Sequence, residues 1–415
     1  MTGIGIIGIG GFALNHLASI KECAQKKLCT LEAAVIRNPQ KYETALKELK
    51  NDWPNLRIYP TLEDLLSKEK EKIGLVAIPS GIPSHRSYSE ISLKAGKNVL
   101  CEKPAAGTIE DALAMKAAQE ESGKSLAIGF QYMFCPSIQK IKEIIIDQSL
   151  GKLISLKATS RWKRTSIYYN RNRWAGCLKD GEDFIFDSPI QNANAHYLQN
   201  LLYLAGPSRY ESALPLTLYG ENYHAQDIES ADTQYIKCTT AEGVTLSFAV
   251  THATEEVDGP HMECLLEQGR ICWTMKDGAT RVYNKEDKLI EAFDNGESPL
   301  FTSVFEDTLK AIQENRPPLC HIGNAYQHTV CINHLYKATG GIWDIPEEAK
   351  SHNKVTEDPY LEYSTNLQYS DNDINTVIKG IDHTMKDMFD QGGIGYYEAG
   401  LPWARKGKTL DISLQ

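Results

Sequence analysis

The stretch Gly3-Ile4-Gly5-Ile6-Ile7-Gly8-Ile9-Gly10-Gly11-Phe12-Ala13 decides the fold of this chain. Its apolar run is too short for a buried helix, and its isoleucines favour a strand covered on both faces. A helical pattern follows from about Phe12 to Gln25, which puts the glycines at a strand-to-helix turn. Gly8 permits the tight turn, and Gly10 removes a side chain where a pyrophosphate would approach the backbone. Ala13 is small enough for the helix to pack on the strand. Gly11 and Phe12 lead into a helix N-terminus that faces phosphates. The strand before and the helix after separate this GxGxxA from an ordinary glycine turn.

Working outward, strands alternate with helices. Leu31–Ile36, Leu56–Tyr59, Ile73–Ile78, Asn98–Cys101 and Ser125–Phe130 read as strands. Lys41–Leu49, Leu62–Glu69, His85–Ala95 and Ile109–Ser122 read as helices, two of them with Thr61/Asp64 and Thr108/Asp111 as N-terminal caps. Repeated β-α-β units imply a parallel, doubly wound α/β sheet, here a Rossmann domain over residues 1–130 that binds a dinucleotide. An NAD site carries an acid at the end of the second strand, for the ribose 2′-hydroxyl. Here that position is Ile36, followed by Arg37 and Asn38. An arginine beside a missing acid suits a 2′-phosphate, so NADP is preferred to NAD.

Composition bounds the remainder. A chain of 415 residues exceeds one ordinary core, and 42% hydrophobic with 24% charged residues is average for globular proteins. No apolar run reaches the ~18 residues of a membrane span. The glycine motif lies so close to Met1 that no secretory leader is expected, and the location expected is cytoplasmic. A net charge of −10 argues against a nucleic-acid partner. The ten cysteines form no CxxC pair and read as reduced thiols, with no metal site expected.

Pro79-Ser80 through His85 follows the fourth strand, and Ala95-Gly96-Lys97-Asn98-Val99-Leu100-Cys101-Glu102-Lys103-Pro104 spans the fifth. With Ile128-Gly129-Phe130-Gln131-Tyr132, these stretches resemble the glucose–fructose oxidoreductase / inositol dehydrogenase (Gfo/Idh/MocA) family. The resemblance runs from residue 3 to about 206 and more loosely to about 345. It implies an N-terminal Rossmann domain and a C-terminal α+β domain with an open, largely antiparallel sheet. That sheet carries the substrate pocket and an oligomer interface, so a homo-oligomer, dimer or tetramer, is implied. Lys103 is then the catalytic lysine touching substrate and nicotinamide ribose, with Glu102 supporting its turn, and Pro79, Ser80 and His85 near the cofactor. An ammonium beside a developing alkoxide stabilises its charge as hydride departs. Gln131 falls on the substrate side.

Asp187-Ser188-Pro189-Ile190-Gln191-Asn192-Ala193-Asn194-Ala195-His196 leads to Tyr203-Leu204-Ala205-Gly206. The resemblance assigns His196, about ten residues before that glycine, as the acid/base. A neutral imidazole suits proton exchange near neutrality. The sequence departs from the family in placing Asn192 and Gln199 where better-known members carry aspartates. Asp187 either supplies the missing acid or caps the helix after Ser188-Pro189. This marks a divergent subgroup.

Beyond Lys152 the pattern turns to alternating strands: Lys152–Arg161, Thr233–Cys238, Thr245–Val250, Met262–Leu266 and Arg270–Thr274. Glu267-Gln268-Gly269 and Asp277-Gly278 supply turns. Residues 131–345 form the second domain, with helices near Ser303–Glu314 and Asn324–Ala338. The segment holding Trp162, Arg164, Tyr169, Arg173 and Trp174 combines arginines with aromatics. Aromatic faces stack on sugar surfaces and arginines bind hydroxyls or anionic groups. Two readings stay open: a pocket for an acidic, phosphorylated or glycosidically linked sugar, or a solvated or oligomer-contact loop. Residues 346–415 form an extension whose Ile374, Val377, Ile378, Ile381, Met385, Met388 and Phe389 read as one helical face.

The activity so implied moves hydride between NADP or NAD and a secondary alcohol of a sugar, sugar derivative or cyclitol. His196 exchanges the hydroxyl proton and Lys103 polarises the oxygen. A cofactor-retaining lyase or glycosidase, working by transient oxidation and elimination, is the alternative; a non-catalytic sensor is disfavoured by the presence of both Lys103 and His196.

Overall fold

In the computed structural model, residues 1–275, 278–296, 300–355 and 373–412 are described. The opening apolar run is strand β1 (Thr2–Ile7), buried along almost its whole length. Among the described residues it lies inside a parallel sheet ordered β3-β2-β1-β4-β5-β6. Its other strands are β2 (Cys29–Val35), β3 (Arg57–Tyr59), β4 (Ile73–Ile78), β5 (Asn98–Cys101) and β6 (Leu126–Ile128). The connecting helices are α1 (Ala13–Gln25), α2 (Glu43–Asp52), α3 (Leu62–Lys68), α4 (His85–Lys94) and α5 (Ile109–Ser122). Strand order reverses between β1 and β4, the switch point at which such sheets bind ligand at their carboxyl edge. Thr61 and Thr108 cap α3 and α5, accepting from the amides of Asp64 and Asp111 at 3.1 Å. The helix expected over Lys41–Leu49 is a 3₁₀ turn, Pro39–Tyr42, followed by α2.

The chain divides at Cys135/Pro136, Gly296/Glu297 and Thr329/Val330, so the helix Leu300–Glu314 returns to the first unit. It buries Val304, Phe305 and Leu309 in the same core as Ile4, Ile6, Ile20 and Leu100. Thr302 Oγ1 donates to Glu22 of α1 at 2.7 Å, and Lys26, just past the end of α1, pairs with Glu306 at 2.5 Å. Chain position alone groups this helix with the substrate half. Its apolar stripe matches α1 instead, a preference that no local signal encodes.

The second unit opens with α6 (Pro136–Ile146), β7 (Leu153–Arg161), α7 (Ser166–Tyr169), a short ladder of β8 (Lys179–Asp180) with β9 (Asp183–Phe184), and α8 (Ala195–Ala205). Strands β10 (Pro215–His224), β11 (Thr233–Thr240), β12 (Thr245–Thr251), β13 (Asp258–Leu266), β14 (Gly269–Thr274), β15 (Thr280–Asn284) and β16 (Leu289–Phe293) follow. After α9 (Leu300–Glu314) and α10 (Ile322–Thr339) come β17 (Trp343–Asp344), β18 (Lys350–Lys354), β19 (Ile374–Ile378), α11 (Ile381–Asp390) and β20 (Thr409–Asp411). Among the described residues the large sheet runs β16-β15-β14-β13-β7-β12-β11-β10-β17, with β20 also on β10. It is antiparallel except for β7 with β12 and β10 with β17. The expected turn residue Asp277 lies outside the described residues.

Alternation along the strands gives this sheet two covered faces. Helix α8 packs on β7 and β12, while α11 packs on β7. Tyr223, Tyr235 and Ala249 join Ile378, Ile381, Met385, Met388, Tyr396 and Trp403 in one core, so the extension packs on its own unit. Its single expected helical face is corrected. Ile374–Ile378 is a strand paired with Lys350–Lys354, and α11 starts only after Gly380, whose φ is 76°. The β-branched run favours a strand and the left-handed glycine turns the chain, while the apolar spacing is compatible with both geometries. Buried Glu221 latches the tail: it accepts from the hydroxyls of Tyr219 (3.0 Å) and Tyr223 (2.7 Å) and from the Tyr397 amide (3.0 Å).

The Tyr203–Gly206 end of α8 is closed by a buried lysine. Lys142 Nζ donates to the carbonyls of Tyr203 at 2.6 Å and Gly206 at 2.7 Å, and the Tyr203 carbonyl also accepts from the Gly206 amide at 3.1 Å. Burial pushes the Lys142 ammonium down to about 7. An unfolded lysine holds its proton to about 10.4, so between those values the unfolded chain binds more protons and stability rises with pH. Lys142→Met should therefore flatten stability between pH 7 and 10. It should also cost about 1–3 kcal/mol at neutral pH, because two buried carbonyls lose the ammonium as a donor. Urea unfolding at a series of pH values measures both.

Candidate functional site

At the carboxyl edge of the first sheet, the glycine turn is open. Gly8 and Gly11 have φ of 80° and 58°, and added Cβ atoms there would meet nothing within 4 Å. Helix α1 starts after Phe12 with no side-chain cap, and Gly11 and Phe12 are exposed. An uncapped, glycine-flanked helix N-terminus offers amides and a positive dipole end to a pyrophosphate, so the residues fit a dinucleotide. Gly10 has a different neighbour from the one the motif implies. A Cβ there would lie 2.6 Å from the ring of Tyr42, so the missing side chain makes room for that tyrosine. Beyond β2, Ile36 is buried while Arg37 and Asn38 are exposed; Arg37 donates to the Tyr88 hydroxyl at 2.8 Å.

The Glu102-Lys103-Pro104 turn follows β5 at the same edge. Buried Glu102 Oε1 meets His16 Nε2 at 2.8 Å, and its Oε2 accepts from the Lys103 amide at 3.1 Å. One carboxylate thus joins α1 to the turn that carries half-buried Lys103. His16 is walled by Phe305 and Phe12, with ring centroids at 5.1 and 6.2 Å. Gly129 has no room for a side chain, because its Cβ would lie 2.8 Å from Glu102 Oε1. Buried His85 ties this turn to the one after β4: Nδ1 lies 3.0 Å from the Pro104 carbonyl, and Nε2 lies 2.8 Å from that of Ser80. Burial lowers the imidazole's proton affinity, which those carbonyls oppose. Pro79 and Ser80 are half-buried. Gln131 is buried at the 3₁₀ turn after β6, its Oε1 enclosed without a partner.

In the second unit, His196 is the second residue of α8 and is buried. That helix starts at Ala195, so Asp187 does not cap it. Asp187 Oδ1 accepts from Asn192 Nδ2 at 2.8 Å and Oδ2 from the Gly176 amide at 2.7 Å, with Arg171 at 3.6 Å. Asn192 therefore works as the donor to a buried acid. Gln199 bonds Ser212 Oγ at 3.2 Å.

The aromatic–arginine segment is brought together only in part. Arg171 lies over the ring of Tyr168 at 3.7 Å and that of Trp174 at 5.0 Å. Arg164 lies over Tyr168 at 4.9 Å and Trp162 at 5.7 Å. The Trp162 ring meets Tyr197, next to His196, edge-on at 5.7 Å. Tyr169 hydroxyl and His252 Nδ1 are 3.2 Å apart, and burial with the two arginines holds His252 well below the usual imidazole range. Arg173 stands apart: its side chain is 82% exposed and pairs with Asp180 at 2.7 Å, so it leaves the cluster in which the sequence reading placed it. The alternating residue pattern has no means of aiming adjacent side chains around the turn after α7.

His16, Tyr42, Arg171, Tyr197 and His252 were not singled out from sequence. His16 had a signal, since His16, Ile20 and Cys23 fall on one buried face of α1. A polar residue on such a face needs a partner. Glu102→Ala should destabilise the first unit by about 1–3 kcal/mol, because it leaves His16 and the Lys103 amide without an acceptor; denaturant unfolding measures the loss.

Residues 2–130 match the model of the Gfo/Idh/MocA oxidoreductase family, described as having an NAD-binding Rossmann fold. D-apiose dehydrogenase of Paraburkholderia graminis is 28% identical over 48% of this chain and 49% of its own length. Glucose-6-phosphate 3-dehydrogenase of Bacillus subtilis is 29% identical over 42% and 46%. The chain thus spans about half the length of these curated relatives. The WlbA dehydrogenase of Bordetella pertussis, solved with NADH and UDP-GlcNAcA, shares the fold: TM-score 0.65, 20% identity, 81% of this chain and 95% of that one. No helix among the described residues is long and apolar enough to cross a membrane.

Proposed function

We propose that this chain, whose residues 2–130 belong to the Gfo/Idh/MocA oxidoreductase family, is a nicotinamide-dependent dehydrogenase acting on a secondary alcohol of a sugar, sugar derivative or cyclitol. The observation that carries the reading is the Glu102–His16 link. It ties the helix that receives the pyrophosphate to the turn that presents Lys103. Relatives named for D-apiose and glucose 6-phosphate support the substrate class.

The dinucleotide, when bound, accepts or returns a hydride. The chain's own residues do the rest. Gly8, Gly11 and Ala13 leave the α1 N-terminus open to phosphate, while Gly10 makes room for Tyr42 beside it. Lys103 holds positive charge beside the reacting oxygen, and His196 takes or returns the hydroxyl proton. Asn192, itself held by Asp187, positions a substrate hydroxyl through its carbonyl oxygen. Arg37 favours NADP through its 2′-phosphate, with the Tyr88 hydroxyl orienting the guanidinium. A homo-oligomer in a reducing, cytoplasmic location belongs to the same reading; none of the ten cysteines, all of them described, is in a disulfide.

Lys103→Met and His196→Gln should each lower kcat about 10²- to 10⁴-fold while leaving cofactor affinity within a few-fold. Cofactor reduction at 340 nm across a polyol and keto-sugar panel, with fluorescence titration of the cofactor, tests this. Tight cofactor binding without turnover of any panel member would overturn it. Arg37→Ala should raise KM for NADPH far more than for NADH; equal effects would remove the NADP preference.

A further inference from the structure

Four arginines crowd the segment from residue 161 to 173, and their partners differ. Arg161 is fixed between Asp258 and Asp382. Arg171 faces Asp187 and donates to the Tyr168 carbonyl at 2.6 Å. Arg173 points outward to Asp180. Arg164 has no carboxylate within ion-pair distance among the described residues. Its guanidinium donates to the neighbouring Lys163 carbonyl, at 3.0 Å, and its Nε is enclosed with no acceptor among the described residues.

This cation is held in place. Its ring partners Trp162 and Tyr168 confine the guanidinium, and its backbone amide donates to the His252 carbonyl at 3.1 Å. The Tyr168 ring is shared with Arg171, so two guanidiniums lie close together while the available acid, Asp187, serves the other one. A half-buried charge without a counter-ion is costly, and the cost is greater next to a like charge. In a chain of net charge −10, acids to neutralise it are abundant, yet among the described residues none stands within ion-pair distance of it. Trp162 connects the spot to the start of α8 through Tyr197, the residue after His196. The missing counter-ion therefore belongs on the side of the unit where α8 begins.

We propose that Arg164 reads an oxyanion, a carboxylate or a phosphate, on the substrate, which makes the substrate an anionic sugar derivative and not a neutral polyol. The inference rests on the dehydrogenase reading for the identity of the sugar, while the anion recognition is measurable without turnover. Calorimetric titration of the full chain, with NADPH present, uses glucose, glucuronate and glucose 6-phosphate as probes. The wild type should bind at least one anionic sugar about 10- to 100-fold more tightly than glucose, as one charge-assisted hydrogen-bonded pair implies. Glucuronate against glucose 6-phosphate tells carboxylate from phosphate. Arg164→Met should lose that preference while keeping its melting temperature within a few degrees, and Arg173→Met should retain it. Equal binding of all three sugars by the wild type, or an unchanged preference in Arg164→Met, would overturn the inference. Anion-selective binding without turnover of any sugar would leave it standing and remove the dehydrogenase reading.

Discussion

The hydrogen bond between His16 and Glu102, 2.8 Å long and buried, is the constraint on which the first unit depends. It joins residues from the first helix and the fifth strand's end, 86 positions apart in sequence. On one side, His16 sits in the same face of α1 as Ile20 and Cys23, so the bond fixes the helix against the sheet. On the other, the same carboxylate takes the Lys103 amide and fills the space that Gly129 leaves empty. A buried polar pair of this kind contributes modest net stability but is costly to break, so it holds a geometry more than it adds to a fold. His85 repeats the device between the turns after β4 and β5.

The second unit solves a different problem. A sheet this wide has two faces to cover, and the helices before residue 296 supply α8 on one of them. The other receives Ile378, Ile381, Met385, Met388, Tyr396 and Trp403 from the C-terminal segment, packed on Tyr223 and Tyr235. Each such side chain contributes about 1.5–3 kcal/mol by burial. Glu221 turns that apolar cover into a specific one, because it accepts tyrosine hydroxyls from the sheet and an amide from the tail. Burial raises the pKa of this carboxyl, and the three donors pull the other way.

Around α8 the same logic governs the chemistry-bearing groups. Lys142 completes the helix C-terminus, while Asp187 and Asn192 organise the approach to its N-terminus. Asn192 is half-buried and donates to the buried Asp187 carboxylate at 2.8 Å.

Much of this was determined by sequence alone. Period-two and period-3.6 patterns, the Thr61 and Thr108 caps and the glycine turn follow from local sterics and hydrogen bonding, so the order of strands and helices in the first unit could be read directly. Lys103 and His196 were legible through their motifs, and so was the absence of an acid at Ile36. Only the tertiary structure decided what each polar side chain touches. It sent α9 back to the first sheet, gave Gly10 to Tyr42, tied Asp187 to Asn192 and turned Arg173 out to solvent. It also made a strand of Ile374–Ile378, where apolar spacing fitted a helix as well. The physical reason is common to all of them. Local pattern fixes which face of an element is apolar, but partners far apart in the chain are chosen by packing, and packing has no signature within any one segment.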